Sequence, residues 1–94
     1  ISKKLHVKDF WIAKYSEGNY ALPHSHGTGN VEDILSGVYY IDIEENAAPI
    51  IFDEYGSITP ENDMLIIFDS DLMHKVPRTK GKRLLASFNL STHK

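Results

Sequence analysis

The chain has 94 residues, ten Lys+Arg against thirteen Asp+Glu for a formal net charge of -3, and no cysteine. A stretch of this length is expected to hold a single domain over residues 1–94, a minimal or a truncated one, and is too short to hold a two-domain enzyme or a large α/β barrel. Without cysteine there are no disulfides, zinc knuckles, iron–sulfur clusters or thiol nucleophiles, and the slight acidity gives no nucleic-acid signal. At 41% hydrophobic and 24% charged residues the composition is that of a folded protein. No run of 18 apolar residues could span a membrane and no signal peptide is visible, so a soluble, cytoplasmic protein is expected.

In chain order, the sequence reads as short strands separated by turns. Leu5 and Val7 form a brief extended start. Phe10, Ile12 and Lys14 alternate with Trp11, Ala13 and Tyr15, predicting a strand from Asp9 to Tyr15. Ser16-Glu17-Gly18-Asn19 is a turn. Tyr20 to His26 is extended, because Pro23 drives Leu22 out of the helical region and favours a sheet edge. Gly27-Thr28-Gly29-Asn30 is a loop. Leu35 to Ile43, rich in Val38, Tyr39, Tyr40 and Ile41, is the strongest strand candidate. Glu44 to Ala48 turns, Pro49 to Phe52 is extended, and Asp53 to Glu61 is polar. The unbroken apolar run Met64 to Phe68 predicts a buried strand, ended by Asp69-Ser70-Asp71. His74 to Val76 is a short strand before Pro77. Arg83 to Leu90 closes the series, with Arg83, Leu85, Ser87 and Asn89 on one face and Leu84, Ala86, Phe88 and Leu90 on the other. Residues 1–5 and 93–94 are expected to fray. Helical periodicity over more than about ten residues is absent. Many short strands with frequent turns predict an all-β sandwich or jelly roll.

The informative chemistry is His24-Ser25-His26 with a distant His74. Residues i and i+2 of a strand face the same way, so two imidazoles can converge and His74 can join them from a neighbouring strand. Three neutral imidazoles suit Fe(II), Zn or another first-row metal and leave coordination positions open. The alternative is a polar loop with both histidines facing water. Glu32 and Asp33 are the nearest downstream acids, each either a ligand or a loop residue. His6 and His93 lie near the ends without partners and read as surface residues. Arg83 either points outward or, if its face lines a pocket, pairs with a ligand carboxylate, with Ser87 or Asn89 adding hydrogen bonds. Tyr20, Tyr39 and Tyr40 are each core aromatics or donors to a bound acid. Lys75, Arg78, Lys80, Lys82 and Arg83 cluster, and read more simply as a solvated loop than as a phosphate patch.

Taken together, Trp11, Gly18-Asn19-Tyr20, Pro23-His24-Ser25-His26, Leu35-Ser36-Gly37-Val38-Tyr39-Tyr40, His74 and Arg83 with Ser87-Phe88-Asn89 resemble the double-stranded β-helix of 2-oxoglutarate- and Fe(II)-dependent oxygenases. The resemblance is to a prolyl-hydroxylase-like branch and covers about residues 9 to 91. It implies a cupin-like jelly roll, Fe(II) as cofactor, and 2-oxoglutarate as co-substrate in the hydroxylation of a small molecule or peptide. It also implies His24, His26 and His74 as metal ligands, with Glu32 a weaker candidate. Arg83 is implied as the partner of the far 2-oxoglutarate carboxylate, with Tyr39 a weaker donor to it. Two features depart from the pattern. Most such oxygenases carry Asp or Glu where this chain has His26, and Leu85 stands where an Arg-x-Ser pair has its serine.

The cupin fold is the alternative resemblance. It would use His24, His26, Glu32 and His74 around Fe, Mn, Zn or Ni for oxygenation or isomerisation without 2-oxoglutarate. A non-catalytic jelly-roll binding module is the third reading. The exposed edges of a small open jelly roll would be relieved by pairing of two copies, so a homodimer is an expectation.

Overall fold

A computed structural model of the chain describes residues 4–26 and 33–92. They form eight strands: β1 (His6–Tyr15), β2 (Ala21–His24), β3 (Asp33–Ile43), β4 (Ile50–Phe52), β5 (Gly56–Ile58), β6 (Leu65–Asp69), β7 (His74–Val76) and β8 (Arg83–Ser91). All pairings are antiparallel, in two four-stranded sheets ordered β1-β8-β3-β6 and β2-β7-β4-β5. This is the all-β jelly roll that the strand and turn pattern predicts. None of the described residues forms a helix, so no helix is long and apolar enough to cross a membrane.

The core lies between the sheets. Val38, Tyr40, Ile50, Phe52, Phe68 and Leu85 form its buried centre, flanked by Ala13, Tyr15, Ile43, Met64, Ile66 and Leu72. The predicted alternation of β8 holds: Arg83, Leu85, Ser87 and Asn89 are all buried between the sheets. On its outer face, Phe88 lies across Gly37, the paired residue of β3. A Cβ at Gly37 would sit 2.2 Å from the Phe88 Cζ, so only glycine lets that ring lie flat on the sheet.

Three expectations change. Leu5 and Val7 do not form a separate strand. Val7 belongs to β1, where a register shift between Val7 and Asp9 leaves Lys8 as the additional residue. The apolar run of β6 is not buried: Leu65 and Ile67 are 56% and 44% exposed, and within the strand Phe68 alone is fully covered. The sheet has its core on one face only, so alternation turns every second apolar side chain of β6 to the outer face despite the unbroken run. The polar stretch Asp53 to Glu61 contains β5, whose hairpin with β4 uses the left-handed backbone of Glu54 and Gly56, at φ of 68° and 92°.

The predicted turn at Ser16–Asn19 is present. Gly18 takes φ 88°, the Asn19 amide donates to Ser16 O at 3.0 Å, and Asn19 Oδ1 accepts from the Ser16 amide at 2.8 Å. This turn is tied to the β7–β8 connection, where Gly18 N donates to Thr79 O and Thr79 N donates to Asn19 O.

Candidate metal and acid site

β2 carries His24, β7 carries His74, and His26 lies two residues past the end of β2. Ala21 pairs with Val76 and His24 with His74, so β2 holds one residue more than β7 between the two pairs. Pro23, which has no amide proton to give the ladder, occupies this irregularity. The shift sets His24 directly opposite His74, with ring centroids 4.4 Å apart. Two residues on, His26 returns to the same side, 5.8 Å from His24 and 5.0 Å from His74. Its main chain is fastened by donation from its amide to Ser70 O at 2.9 Å. One ligand atom from each of the three rings lies within 4.8 Å of the other two. Among the described residues no other trio of histidine or acidic side chains converges in this way.

Two of the rings are oriented by the same local device. His24 Nδ1 lies 2.6 Å from Leu22 O and His74 Nδ1 lies 3.0 Å from Leu72 O, each two residues back in the chain. A main-chain carbonyl only accepts, so Nδ1 carries the proton and Nε2 keeps its lone pair free for a metal. His26 Nδ1 lies 3.1 Å from Asn89 Oδ1. The trio is graded in depth, with His24 exposed, His26 half-buried and His74 4% exposed. Phe52 and Phe68 pack against His74 at 5.7 and 5.1 Å. Burial holds the His74 pKa down at about 4, against the opposing pull of its bond to Leu72 and with the other two histidines pushing the same way. His26 is lowered as well, first by burial and then by His24, with Asn89 opposing. Both groups are therefore held toward the neutral form that a metal requires.

The histidines line one part of a cavity of about 80 Å3, and Arg83 lines another. By the same measure a single water needs only about 10–15 Å3. Trp11, Tyr15, Val38, Ile50, Val76, Leu85 and Ser87 contribute to its walls. No acidic residue lines it among the described residues. Arg83 is 1% exposed. Its Nε donates to Ala48 O at 3.0 Å, its Nη2 lies 3.4 Å from Tyr40 Oη, and its guanidinium sits 4.7 Å from the Tyr15 ring centroid. Nη1 is buried with no hydrogen-bond partner. No protein atom therefore satisfies this guanidinium nitrogen, which leaves it available to an acceptor in the cavity, water or an anion. Thr79 steadies this end: its Oγ1 accepts from Ala48 N at 2.9 Å and donates to Gly81 O at 2.6 Å.

The structure thus brings His24, His26, His74, Arg83 and Ser87 to one cavity. Asn89 stands behind His26. Tyr39 is not brought there: its hydroxyl donates to Asp63 Oδ1 at 2.6 Å on the other side of the sheet. The β3 register turns Tyr40 inward instead, and Tyr40 is fully buried against Arg83. Tyr20 stacks under Arg78 at 4.4 Å, away from the histidines. Glu32 lies outside the described residues, as does His93, and of Asp33 only the backbone is described. The basic cluster dissolves in a different manner from that expected. Arg83 is internal, whereas Lys82 pairs with Asp42 at 2.6 Å on the surface. Asp9, Ser36 and Tyr15 were not singled out as site residues from sequence. Period-two alternation from Trp11 would have put Tyr15 on the inner face, but nothing local marks Asp9 or Ser36.

No family model matches the sequence, and no curated protein matches it. Solved structures do match. A 2OG-Fe(II) oxygenase family oxidoreductase from Burkholderia pseudomallei aligns with a TM-score of 0.87 at 13% identity, covering 99% of this chain and 48% of that one. The fold is shared. A Pseudomonas putida prolyl-4-hydroxylase aligns at 0.75 with 20% identity over 90% of this chain and 52% of the other. The chain therefore spans about half the length of these two proteins. An RmlC-like cupin from Desulfovibrio desulfuricans aligns more loosely, with a TM-score of 0.58, 11% identity and coverage of 96% and 82%. The jelly-roll architecture implied by the sequence resemblance is the one these structures have.

Proposed function

We propose that this chain carries the metal and co-substrate site of an Fe(II)- and 2-oxoglutarate-dependent oxygenase. The observation that carries the reading is the pairing, in one cavity, of three converging imidazoles with a buried Arg83 whose Nη1 has no acceptor. His24, His26 and His74 would hold the metal through nitrogen, and the donor set suits Fe(II). Bound there, the metal would supply the redox chemistry that side chains lack.

The chain's own residues do the rest. Arg83 receives the far carboxylate of the dicarboxylic acid, taking on Nη1 the acceptor it otherwise lacks. Val38, Ile50, Val76 and Leu85 flank the methylene segment and keep water out. Ser87, on the same face of β8 as Arg83, offers a hydroxyl to the acid between the two ends. The exposure of the His24 ring supports approach of a second substrate from that side.

Anaerobic addition of Fe(II) and then 2-oxoglutarate to purified apo-protein tests this reading. A saturable visible charge-transfer band requiring both components is expected, and its absence despite metal binding would overturn the reading. That outcome would favour the cupin reading, in which His24, His26 and His74 together with Glu32 would serve a metal-dependent oxygenase or isomerase without 2-oxoglutarate. The convergence of the His24–His26 pair with His74, in place of a two-histidine, one-carboxylate set, is the observation behind this second reading.

A further inference from the structure

His24 and His74 each have a main-chain carbonyl two residues back to take the Nδ1 proton. His26 has none, and its Nδ1 faces a side-chain amide, Asn89, 3.1 Å away. An amide can turn either end toward a ring. If it presents its oxygen, Nδ1 carries the proton and Nε2 is free. If it presents its nitrogen, Nδ1 must accept, the proton sits on Nε2, and His26 cannot bind a metal through that atom. Something must therefore choose the orientation of Asn89.

Asp9 makes that choice. Its Oδ2 lies 3.2 Å from Asn89 Nδ2, and a carboxylate can only accept. The amide nitrogen is thus committed to Asp9 and the oxygen is turned to His26. Ser36, fully buried, donates its hydroxyl to that oxygen at 2.7 Å and completes the lock. Asn89 is itself 6% exposed, so water offers it little alternative. The backbone is adapted to this contact. The irregularity at Lys8 changes the phase of β1, so Val7 pairs with Leu90 on the outer face while Asp9 pairs directly with Asn89 on the inner one. A bulge that re-aims a side chain beside a site is a common use of that feature.

We propose that Asp9 and Asn89 are positioning residues that fix the tautomer of His26, the imidazole standing where a carboxylate is expected, and so make its Nε2 available as a ligand. This rests on the metal reading above, but its test does not depend on that reading. Apo-protein with 15N-labelled histidine, in chelator at a pH where the imidazoles are neutral, reports by long-range 1H–15N correlation which ring nitrogen is protonated. The wild type is expected to show Nδ1–H in all three rings. Asn89→Leu is expected to move His26 to Nε2–H, with His24 and His74 unchanged as internal controls. Its Co(II) affinity is expected to fall about 10- to 100-fold, the usual loss when a ligand's hydrogen-bond partner is removed. The exchanged pair D9N/N89D presents a carboxylate oxygen to His26 and an amide to that carboxylate, and is expected to restore both the Nδ1–H signal and the Co(II) affinity. Asp9→Leu, a change at an exposed strand position, covers the case in which Asn89→Leu does not fold. It is expected to give a mixture of His26 tautomers. Nδ1–H retained by His26 in Asp9→Leu, or in folded Asn89→Leu, would overturn the proposal. If wild-type protein took up no Co(II) while its tautomers behaved as described, the metal reading would fail and the tautomer lock would stand.

Discussion

Replacing Arg83 by Met separates the energetics of the empty cavity from those of the filled one. In the empty cavity Arg83 is a buried cation with one charge-assisted hydrogen bond, to Ala48 O, a longer contact to Tyr40, and the face of Tyr15. The hydrogen bond contributes about 1.5–3 kcal/mol and the aromatic face about 0.5–2 kcal/mol. Against these stands the desolvation of a guanidinium whose Nη1 has no acceptor from the protein, a penalty of several kcal/mol. The terms are comparable and opposite, so Arg83→Met is expected to shift the unfolding free energy by no more than about 2 kcal/mol. Ligand binding behaves differently. With a carboxylate on Arg83, truncation removes one member of a buried charge pair and costs about 2–5 kcal/mol. That is roughly 30- to several thousand-fold in Kd. Calorimetric titration of Mn(II)-loaded protein under nitrogen, with 2-oxoglutarate and with 2-oxobutyrate, isolates this contribution, because the second acid lacks the far carboxylate. Wild type is expected to prefer 2-oxoglutarate by this factor, and Arg83→Met to lose the preference while binding 2-oxobutyrate about as well as before. A folded Arg83→Met protein that still prefers the dicarboxylate would refute the assignment.

The His74 pKa held near 4 lies below its unfolded value of 6.5, so the unfolded chain binds the extra proton. The stabilising contribution is therefore complete above pH 6.5 and is lost as pH falls toward 4, by at most about 3 kcal/mol. Urea unfolding of apo-protein across this window should show that slope, reduced in His74→Leu; an identical slope in the variant would place its origin elsewhere. Thr79→Val removes the acceptor of Ala48 N and the donor to Gly81 O, both buried, and should cost about 1–3 kcal/mol, read from the urea midpoint at constant m. An unchanged midpoint would show that water replaces both bonds. Gly37→Ala forces a methyl into the Phe88 ring and should destabilise by about 1–3 kcal/mol. In the Phe88→Ala background the same change should cost far less, and strict additivity would count against the clash.

Much of this site could be read from residue order because it depends on strand alternation. The inward set Arg83, Leu85, Ser87 and Asn89 follows from a period of two once a strand is granted, whereas His26 lies past the end of β2 and is held on the side of His24 by its amide bond to Ser70 O. What could not be read depends on register and on which sheet face meets the core. Tyr39 and Tyr40 are equivalent as sequence, and the pairing of Tyr40 with Leu85 is what turns Tyr40 rather than Tyr39 toward Arg83. Leu65 and Ile67 look like core, but a sheet with one face on the core covers only every second residue of such a run. The extra residue at Pro23 and the one at Lys8 each reset a phase, setting His24 against His74 and Asp9 against Asn89. A sequence signals that proline disturbs a ladder, not which partner the next residue will then meet.

Charge ties the two halves of the cavity together. Three neutral imidazoles leave a divalent metal with its full double charge, where a carboxylate ligand would remove one unit. Arg83 adds a further positive charge, and no acidic residue among the described ones lines the cavity. A cation site and a buried guanidinium in one small, largely apolar space repel each other more strongly than they would in water. If the proposed metal site is right, each would be a poor site alone, and a dianion that reaches both would relieve two penalties at once. Metal and dicarboxylate should consequently each raise the other's affinity by the same factor, since the coupling free energy between two binding events is reciprocal. An acid with one carboxylate can neutralise only one end. On the proposed metal reading, the imidazole in place of an acidic ligand would shift selectivity toward anions of higher charge rather than simply weaken the metal site.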